Sequence, residues 1–384
     1  MRSMWTIHGR DYDLAPVMRD HPGGARILKL TRGTDCTALF ETYHTFSDRP
    51  RQLLATYGPP YGGSGVDPML EEVRGAARAI FGSRAATKTP MRVTCALVLA
   101  QGAALLLMTH WRTAWSAVLY GLVLGTCCTR VIHSCSHNAT FLSPRWNAAL
   151  GELVSAPVFP FAAWYYAHVL SHHPHTNDAA LDLDVASIHE VRAAPTSVLA
   201  QFVMSAVPVP LRIGLLRLVP WSIPSETTPL SSYAARFALT STLVFAAFHG
   251  IAWSLVDGWA WLAFVYMHVL GLYFLFFSQL SHLPSLGDDL HASSRTDPWS
   301  ARQVRATENY AGESGFWHFM SFGLTEQIEH HLLPGVSESV LYRARHAVRE
   351  ACVRHRVPYR DNTMSHAVVR LVSCMPLLAK KKGP

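Results

Sequence analysis

Four long apolar runs constrain this chain more than any other feature. They cover residues 93–109, 114–132, 236–256 and 259–280. Each approaches the roughly 20 residues that a helix needs to cross a hydrocarbon core of about 30 Å. Only His110 to Thr113 separate the first two runs, and only Asp257 and Gly258 the last two, so two tight helical hairpins are predicted. Composition agrees. Charged residues make up 15% of the chain and hydrophobic ones 49%, whereas soluble domains carry about a quarter charged residues. Two further apolar stretches, 148–170 and 198–220, are broken by Pro157, Pro160, Pro208 and Pro210. They read as interfacial or re-entrant rather than spanning. Two hairpins return the chain to the side where it started. The long basic segments lie on that side, so it is expected to face the cytosol. The formal net charge of +7 suits an anionic leaflet, and no nucleic-acid partner is expected.

Three histidine clusters fall on the same side. They read His133-x3-His137, His168-x3-His172-His173 and Gln327-x2-His330-His331. Imidazole is the commonest metal-binding side chain and suits iron. Residues i and i+4 share a helix face, so His133/His137 and His168/His172 each aim two rings at one spot, with His173 and His331 as neighbours. His282, just beyond the fourth run, is a further candidate. So many imidazoles exceed the needs of one metal and suit two. With 21 histidines in the chain some pairing arises by chance, and a lone histidine is usually an ordinary core or surface residue. Three clusters of shared spacing are hard to obtain that way. The expected site is an oxygen-activating di-iron centre at a membrane surface.

Other residues bear on that site. Asn177, Asp178, Asp182 and Asp184 follow the second cluster and either orient its imidazoles by accepting their second N–H or form a solvated acidic loop. His249 and His268 lie within the second hairpin, each ~20 Å from the metal side at 1.5 Å per residue. They cannot reach a metal there, and a structural contact between them is expected. The stripe from Tyr273 to Phe277 either walls an acyl tunnel or simply packs. Seven scattered cysteines contain no Cys-x2-Cys pair, which excludes a thiolate metal site and a disulfide framework. No signal peptide is visible before Asp13.

The N-terminal segment, residues 1–57, reads as a separate small domain. It carries His21-Pro22-Gly23-Gly24 and, 23 residues on, His44. A haem iron with two axial histidines needs one imidazole on each face, and glycines let the backbone approach the ring edge. Residues 58–90 hold a Gly- and Pro-rich linker and then an amphipathic helix. Asp67-Pro68 can cap that helix, and Leu70, Val73, Ala77 and Ile80 share a face that lies on the bilayer or on the catalytic core. Residues 91–384 form the membrane domain.

The segment with Trp5, Tyr12, His21-Pro-Gly-Gly and His44 resembles a cytochrome b5 domain. With the three histidine clusters, and above all with Gln327 opening the third, nearly the whole chain resembles the front-end fatty acyl desaturases. The resemblance implies a mainly α membrane protein. Its four-helix transmembrane core would carry a cytosolic di-iron cap and a small α+β cytochrome b5-like haem domain. It implies two non-haem irons, haem b on His21 and His44, O2 as co-substrate, and a role for Gln327 at the metals. The implied reaction inserts a cis double bond into an acyl lipid or acyl-CoA, with electrons from an NADH-dependent cytochrome b5 reductase. An endoplasmic reticulum membrane is implied, and Lys381-Lys382 near the end fits a di-lysine retrieval signal. Two departures stand out. Ser134 follows His133 where the family usually has Asp, and Ser278 stands one helical turn before His282 where the family often has Asn. Asn138-Ala139-Thr140 matches a glycosylation sequon but lies beside the metal side and is expected to be unmodified. Rival readings are a sphingoid-base desaturase, a lipid hydroxylase and a non-enzymatic membrane haem electron carrier.

Overall fold

The computed structural model describes residues 4–61, 67–178, 181–182, 232–287 and 297–380. The segment 198–220, Asp184, residues 62–65 of the glycine-rich linker and the pair Lys381-Lys382 lie outside the described residues.

The N-terminal domain, or head, pairs β1 (Trp5–Ile7) with β2 (Arg10–Tyr12) in an antiparallel hairpin. Three short helices complete it: α1 (Ala25–Leu30), α2 (Thr37–Tyr43) and α3 (Arg49–Leu54). Trp5, Ile7, Tyr12 and Phe40 fill its core. The amphipathic helix α4 (Pro68–Phe81) follows, with Asp67 accepting the Leu70 amide at 3.1 Å as its cap. Its apolar face, Met69, Leu70, Val73, Ala77 and Phe81, is buried against C-terminal helices rather than left for lipid. Its polar face holds the head. Arg74, almost fully buried, donates to Glu41 at 2.8 Å and to the carbonyl of His44 at 2.9 Å. Arg51 bridges Glu41 and Glu71, and Arg78 pairs with Asp48 at 2.7 Å.

The first hairpin is α5 (Met91–Trp111) followed by a continuous rod: α6 (Ala114–Val123), a π-helical turn over Leu124–Cys128, and α7 (Thr129–Ser136). Arg112, with φ +53°, makes the turn, and Thr113 with Ser116 forms a capping box. The short helices α8 (Pro144–Ser155), α9 (Phe161–Trp164), a π-helix over Tyr165–His172 and α10 (His173–His175) follow. None of these is long enough to span. The second hairpin is α11 (Ser232–Leu255) and α12 (Trp259–Gly287). Among the described residues, four helical segments are long and apolar enough to cross a membrane: Arg84–Trp111, Ala114–Ser136, Tyr233–Leu255 and Trp259–Ser285. Arg112 and Asp257, 2.9 Å apart, join the tips of the two hairpins. Trp111, Trp115, Trp253 and Trp261 are exposed around those tips, as expected of an interfacial aromatic belt. The chain is thus a helical membrane protein.

The far end of the bundle is capped by α13 (Trp299–Arg305), β3 (Asn309–Tyr310), α14 (Gly315–Met320), α15 (Gln327–Leu332), α16 (Glu338–Leu341), α17 (Arg345–Arg354), β4 (Asp361–Asn362) and α18 (Met364–Lys380). From Trp259 to His282 helix α12 rises about 35 Å at 1.5 Å per residue. It therefore clears the hydrocarbon core and delivers His282 to the cap.

The arms of the second hairpin diverge. Helix α12 runs along α6 and α18, whereas α11 leans on α8, α9 and the head's α1. The expected contact between His249 and His268 is therefore not made. His249 accepts from the Trp259 indole at 3.1 Å, and His268 bonds its own helix at the Phe264 carbonyl. The close approach of α6 to α12 needs a missing side chain. A Cβ on Gly121 would stand 2.7 Å from the Tyr266 carbonyl oxygen and 2.8 Å from Val269. Gly121→Leu should cost at least about 2 kcal/mol through overpacking, read as a lower unfolding temperature of the detergent-solubilised chain, while Gly102→Leu, where a Cβ meets nothing, should leave it unchanged.

Candidate metal centre

The π-helical turn over Tyr165–His172 decides how the second histidine cluster is used. Its last hydrogen bond runs from the His173 amide to the His168 carbonyl, five residues back. That wider turn aligns i with i+5. Hence His168 shares a site with His173, not with His172 as an α-helical spacing predicts. The adjacent pair His172-His173 is split between two sites, and so is His330-His331 on α15.

Among the described residues two groups of convergent imidazoles result. His133, His137, His168, His173 and His330 form one; His172, His282 and His331 form the other. Within each group the candidate ligand nitrogens all lie within 4.8 Å of one another, and all eight rings are buried. His282 thus joins a site. Gln327 sits at the smaller group, its amide nitrogen 3.1 Å from Nε2 of His282 and 3.3 Å from Nε2 of His331.

The donor set fits metal ions. Nε2 of His133 and of His137 and Oε1 of Gln327 are buried with no hydrogen-bond partner. Nε2 of His173 stands 3.2 Å from Nε2 of His168 and 3.1 Å from Nε2 of His330. Two nitrogens bound to one ion at about 2.1 Å would sit roughly 3.0–3.4 Å apart. At those distances the three Nε2 atoms can share one cation.

Several rings are fixed through their second nitrogen, which is how imidazoles are oriented for metals. His172 Nδ1 lies 2.8 Å from Asp182, and Asp182 also accepts the Asn177 amide at 2.8 Å. His331 Nδ1 lies 2.9 Å from Gln303 Oε1. His137 Nδ1 lies 2.6 Å from the Tyr43 hydroxyl, on the head. Trp164 stacks on His168 with ring centroids 4.5 Å apart and touches Phe274. Phe277 packs with Leu280, Tyr310 and Phe322, and Tyr273 donates to the Met320 carbonyl.

Of the four polar residues after the second cluster, Asp182 meets a ring and Asn177 braces it through Ser285 and the Ala306 carbonyl. Asp178 accepts the Leu181 backbone amide at 3.1 Å within the loop. Ser278 bonds the Leu275 carbonyl on its own helix. The carboxylate missing at Ser134 returns from elsewhere. Glu338, buried on α16, accepts from Ser134 Oγ at 2.5 Å and from Arg130 at 2.8 Å. Neither Gln303 nor Glu338 carries a local sequence signal; Tyr43 is marked only by its place beside His44.

In the head, His21 and His44 face one another with ring centroids 6.0 Å apart. His21 Nδ1 lies 3.2 Å from the Gly24 carbonyl and His44 Nδ1 2.8 Å from that of Phe40. Both Nε2 atoms are thereby left as acceptors, and two rings bound end-on at about 2 Å fit that separation. Burial pushes the His44 imidazole down to about 4 and lowers that of His21, which keeps both in the ligand form.

Burial also holds His137, His168, His173, His330 and His331 well below the ordinary value of 6.5, with the neighbouring imidazoles adding to the effect. Below pH 6.5 the unfolded chain then binds protons that the folded chain refuses, so stability falls as pH falls. Each such histidine contributes up to about 1.4 kcal/mol per pH unit. Metal-stripped protein should therefore melt progressively earlier from pH 7 to pH 5, and iron retention should fall over the same range; a flat melting curve would refute the neutral cluster. Ser134→Asp should place two carboxylates together in a buried site and cost about 3 kcal/mol. Glu338→Gln in the same chain should recover most of it, as a double-mutant cycle would measure.

Residues 109–363 match the family described as fatty acid desaturase, and residues 2–58 match the cytochrome b5-like haem/steroid binding domain. The acyl-lipid omega-13 desaturase of Chlamydomonas reinhardtii is 25% identical, over 98% of this chain and 93% of its own. The acyl-lipid (8-3)-desaturase of Mortierella alpina is 24% identical, over 92% and 88%. Fatty acid desaturase 3 of Bos taurus is 24% identical, over 98% and 89%. The family match spans most of the chain and includes every histidine of both metal groups, so this chain belongs to the fatty acid desaturase family, an oxidoreductase with a cytochrome b5-like domain fused to its N-terminus.

Proposed function

We propose that the protein is an O2-dependent front-end desaturase that inserts a cis double bond into a long-chain, already unsaturated acyl lipid. The observation that carries this reading is the pair of buried imidazole groups set side by side at the end of four spans, with a haem-type head docked on one of their histidines. His133, His137, His168, His173 and His330 hold one iron. His172, His282 and His331 hold the second, and Gln327 completes that site once its amide is turned to aim the unpartnered oxygen inward. The acyl-lipid wording of two relatives' names favours an acyl lipid over acyl-CoA.

Bound iron supplies the oxidant that an unactivated methylene requires. The protein's own work is positional. Asp182 and Gln303 keep the Nδ1 protons of His172 and His331 in place, so their Nε2 lone pairs face the ions. Trp164, stacked on His168, covers one side of the larger group, and Phe274 packs edge-on against Trp164. In sum, O2, two electrons and two protons convert a CH2–CH2 unit to a double bond and two waters. Haem b, which His21 and His44 would hold, would carry the electrons one at a time from an NADH-dependent cytochrome b5 reductase. The setting is the endoplasmic reticulum membrane, with the metal side and both termini in the cytosol.

Lipids of yeast expressing the chain and fed C18–C22 polyunsaturated acids test this directly. The expected product is two mass units lighter than its substrate and absent in a His330→Ala/His331→Ala control. A product heavier by one oxygen would identify a hydroxylase, and a change confined to sphingoid bases would move the substrate class.

A further inference from the structure

The head touches the metal centre at one hydroxyl. Tyr43, the last residue of α2, places its Oη 2.6 Å from Nδ1 of His137, with the two rings stacked at 20°. The next residue is His44. Nε2 of His137 is buried, unpartnered and turned into the larger imidazole group. A metal-binding Nε2 requires the proton on Nδ1, so His137 donates and Tyr43 accepts. We propose that Tyr43 is the electron relay between the two halves of the protein, the point at which electrons pass from the haem domain into the metal centre.

The path is continuous. It leaves the His44 imidazole, follows the peptide bond to Tyr43, runs through the phenol ring and crosses one hydrogen bond into His137. That hydrogen bond is its one non-covalent step. Each transfer oxidises one ferrous haem to ferric and reduces one ferric ion of the histidine centre to ferrous. Tyr43 stays a neutral phenol throughout and His137 keeps its Nδ1 proton, so no proton moves.

The docking contacts are arranged around this point. Arg74 grips the carbonyl of His44 itself and Arg78 that of Thr45. On the other side of the head, the Arg26 guanidinium sits 4.1 Å over the Phe237 ring of α11, and a Cβ on Gly24 would stand 3.1 Å from Pro144. The head is thus clamped on both flanks of Tyr43 in the register that makes the hydrogen bond.

This inference rests on the metal assignment proposed above, and the test separates the two. The full chain, loaded with haem and iron, is compared with Tyr43→Phe, which keeps the ring and removes the hydroxyl. Haem and iron per chain and the haem midpoint potential are measured first. The haem is then photoreduced without O2, and its reoxidation is followed by visible absorbance. Parent protein that binds haem but no iron, or whose haem stays reduced, would sink the metal assignment. The expected result is unchanged haem, iron and potential in Tyr43→Phe, with reoxidation slowed on the order of tenfold or more. Product formation driven by a small dye that reduces the iron directly should fall far less than haem reoxidation does. Reoxidation at the parent rate would overturn the relay. So would loss of iron or an equal loss of dye-driven turnover, since the hydroxyl would then serve only to hold His137.

Discussion

Eight buried imidazoles converging on two points form the constraint on which the rest of the structure depends. Each ring is useful to a metal only when uncharged and with one nitrogen bare, and Nε2 of His133 and of His137 is buried without a hydrogen-bond partner. The surrounding structure supplies what the rings lack. Asp182, Gln303 and Tyr43 hold second nitrogens, and Trp164 covers one flank. These partners come from the loop after the second cluster, from the C-terminal cap, from the head and from α9. The site therefore exists only when every layer of the fold has assembled.

Two departures from regular helix geometry make that assembly possible. The π-turn at Tyr165–His172 shifts the register so that neighbouring histidines join different imidazole groups. The other, at Leu124–Cys128, lies in the rod that carries His133 and His137. Both cost regular hydrogen bonding, and both sit beside the metals. The close contact of Gly121 and Gly125 with α12 then fixes the height at which His282 enters.

The head is held by ions at its base and by aromatic contacts at its side. Arg74 is the buried centre of the ionic part, shared between Glu41, Glu71 and the carbonyl of His44. Such a residue is costly to bury unless fully paired. Its pairing ties the head to α4.

The sequence alone determined the architecture, because hydrophobic run length and hairpin spacing are local properties: the four membrane helices and the b5-like head were legible, as was the metal-binding character of the histidine clusters. The flanking polar loop was only partly legible. Asp182 reaches the His172 ring, a contact that the loop's path decides. What tertiary structure alone decided was partition and support. No periodicity rule separates His172 from His173, since the π-turn depends on the packing around it. Nor does spacing reveal that Glu338, 204 residues from Ser134, supplies the carboxylate absent there, or that Gln303 and Tyr43 brace ligands far from them in sequence. The divergence of α11 from α12, which parts His249 from His268, has the same origin. Partners brought together across long stretches of chain carry no signal in either local sequence.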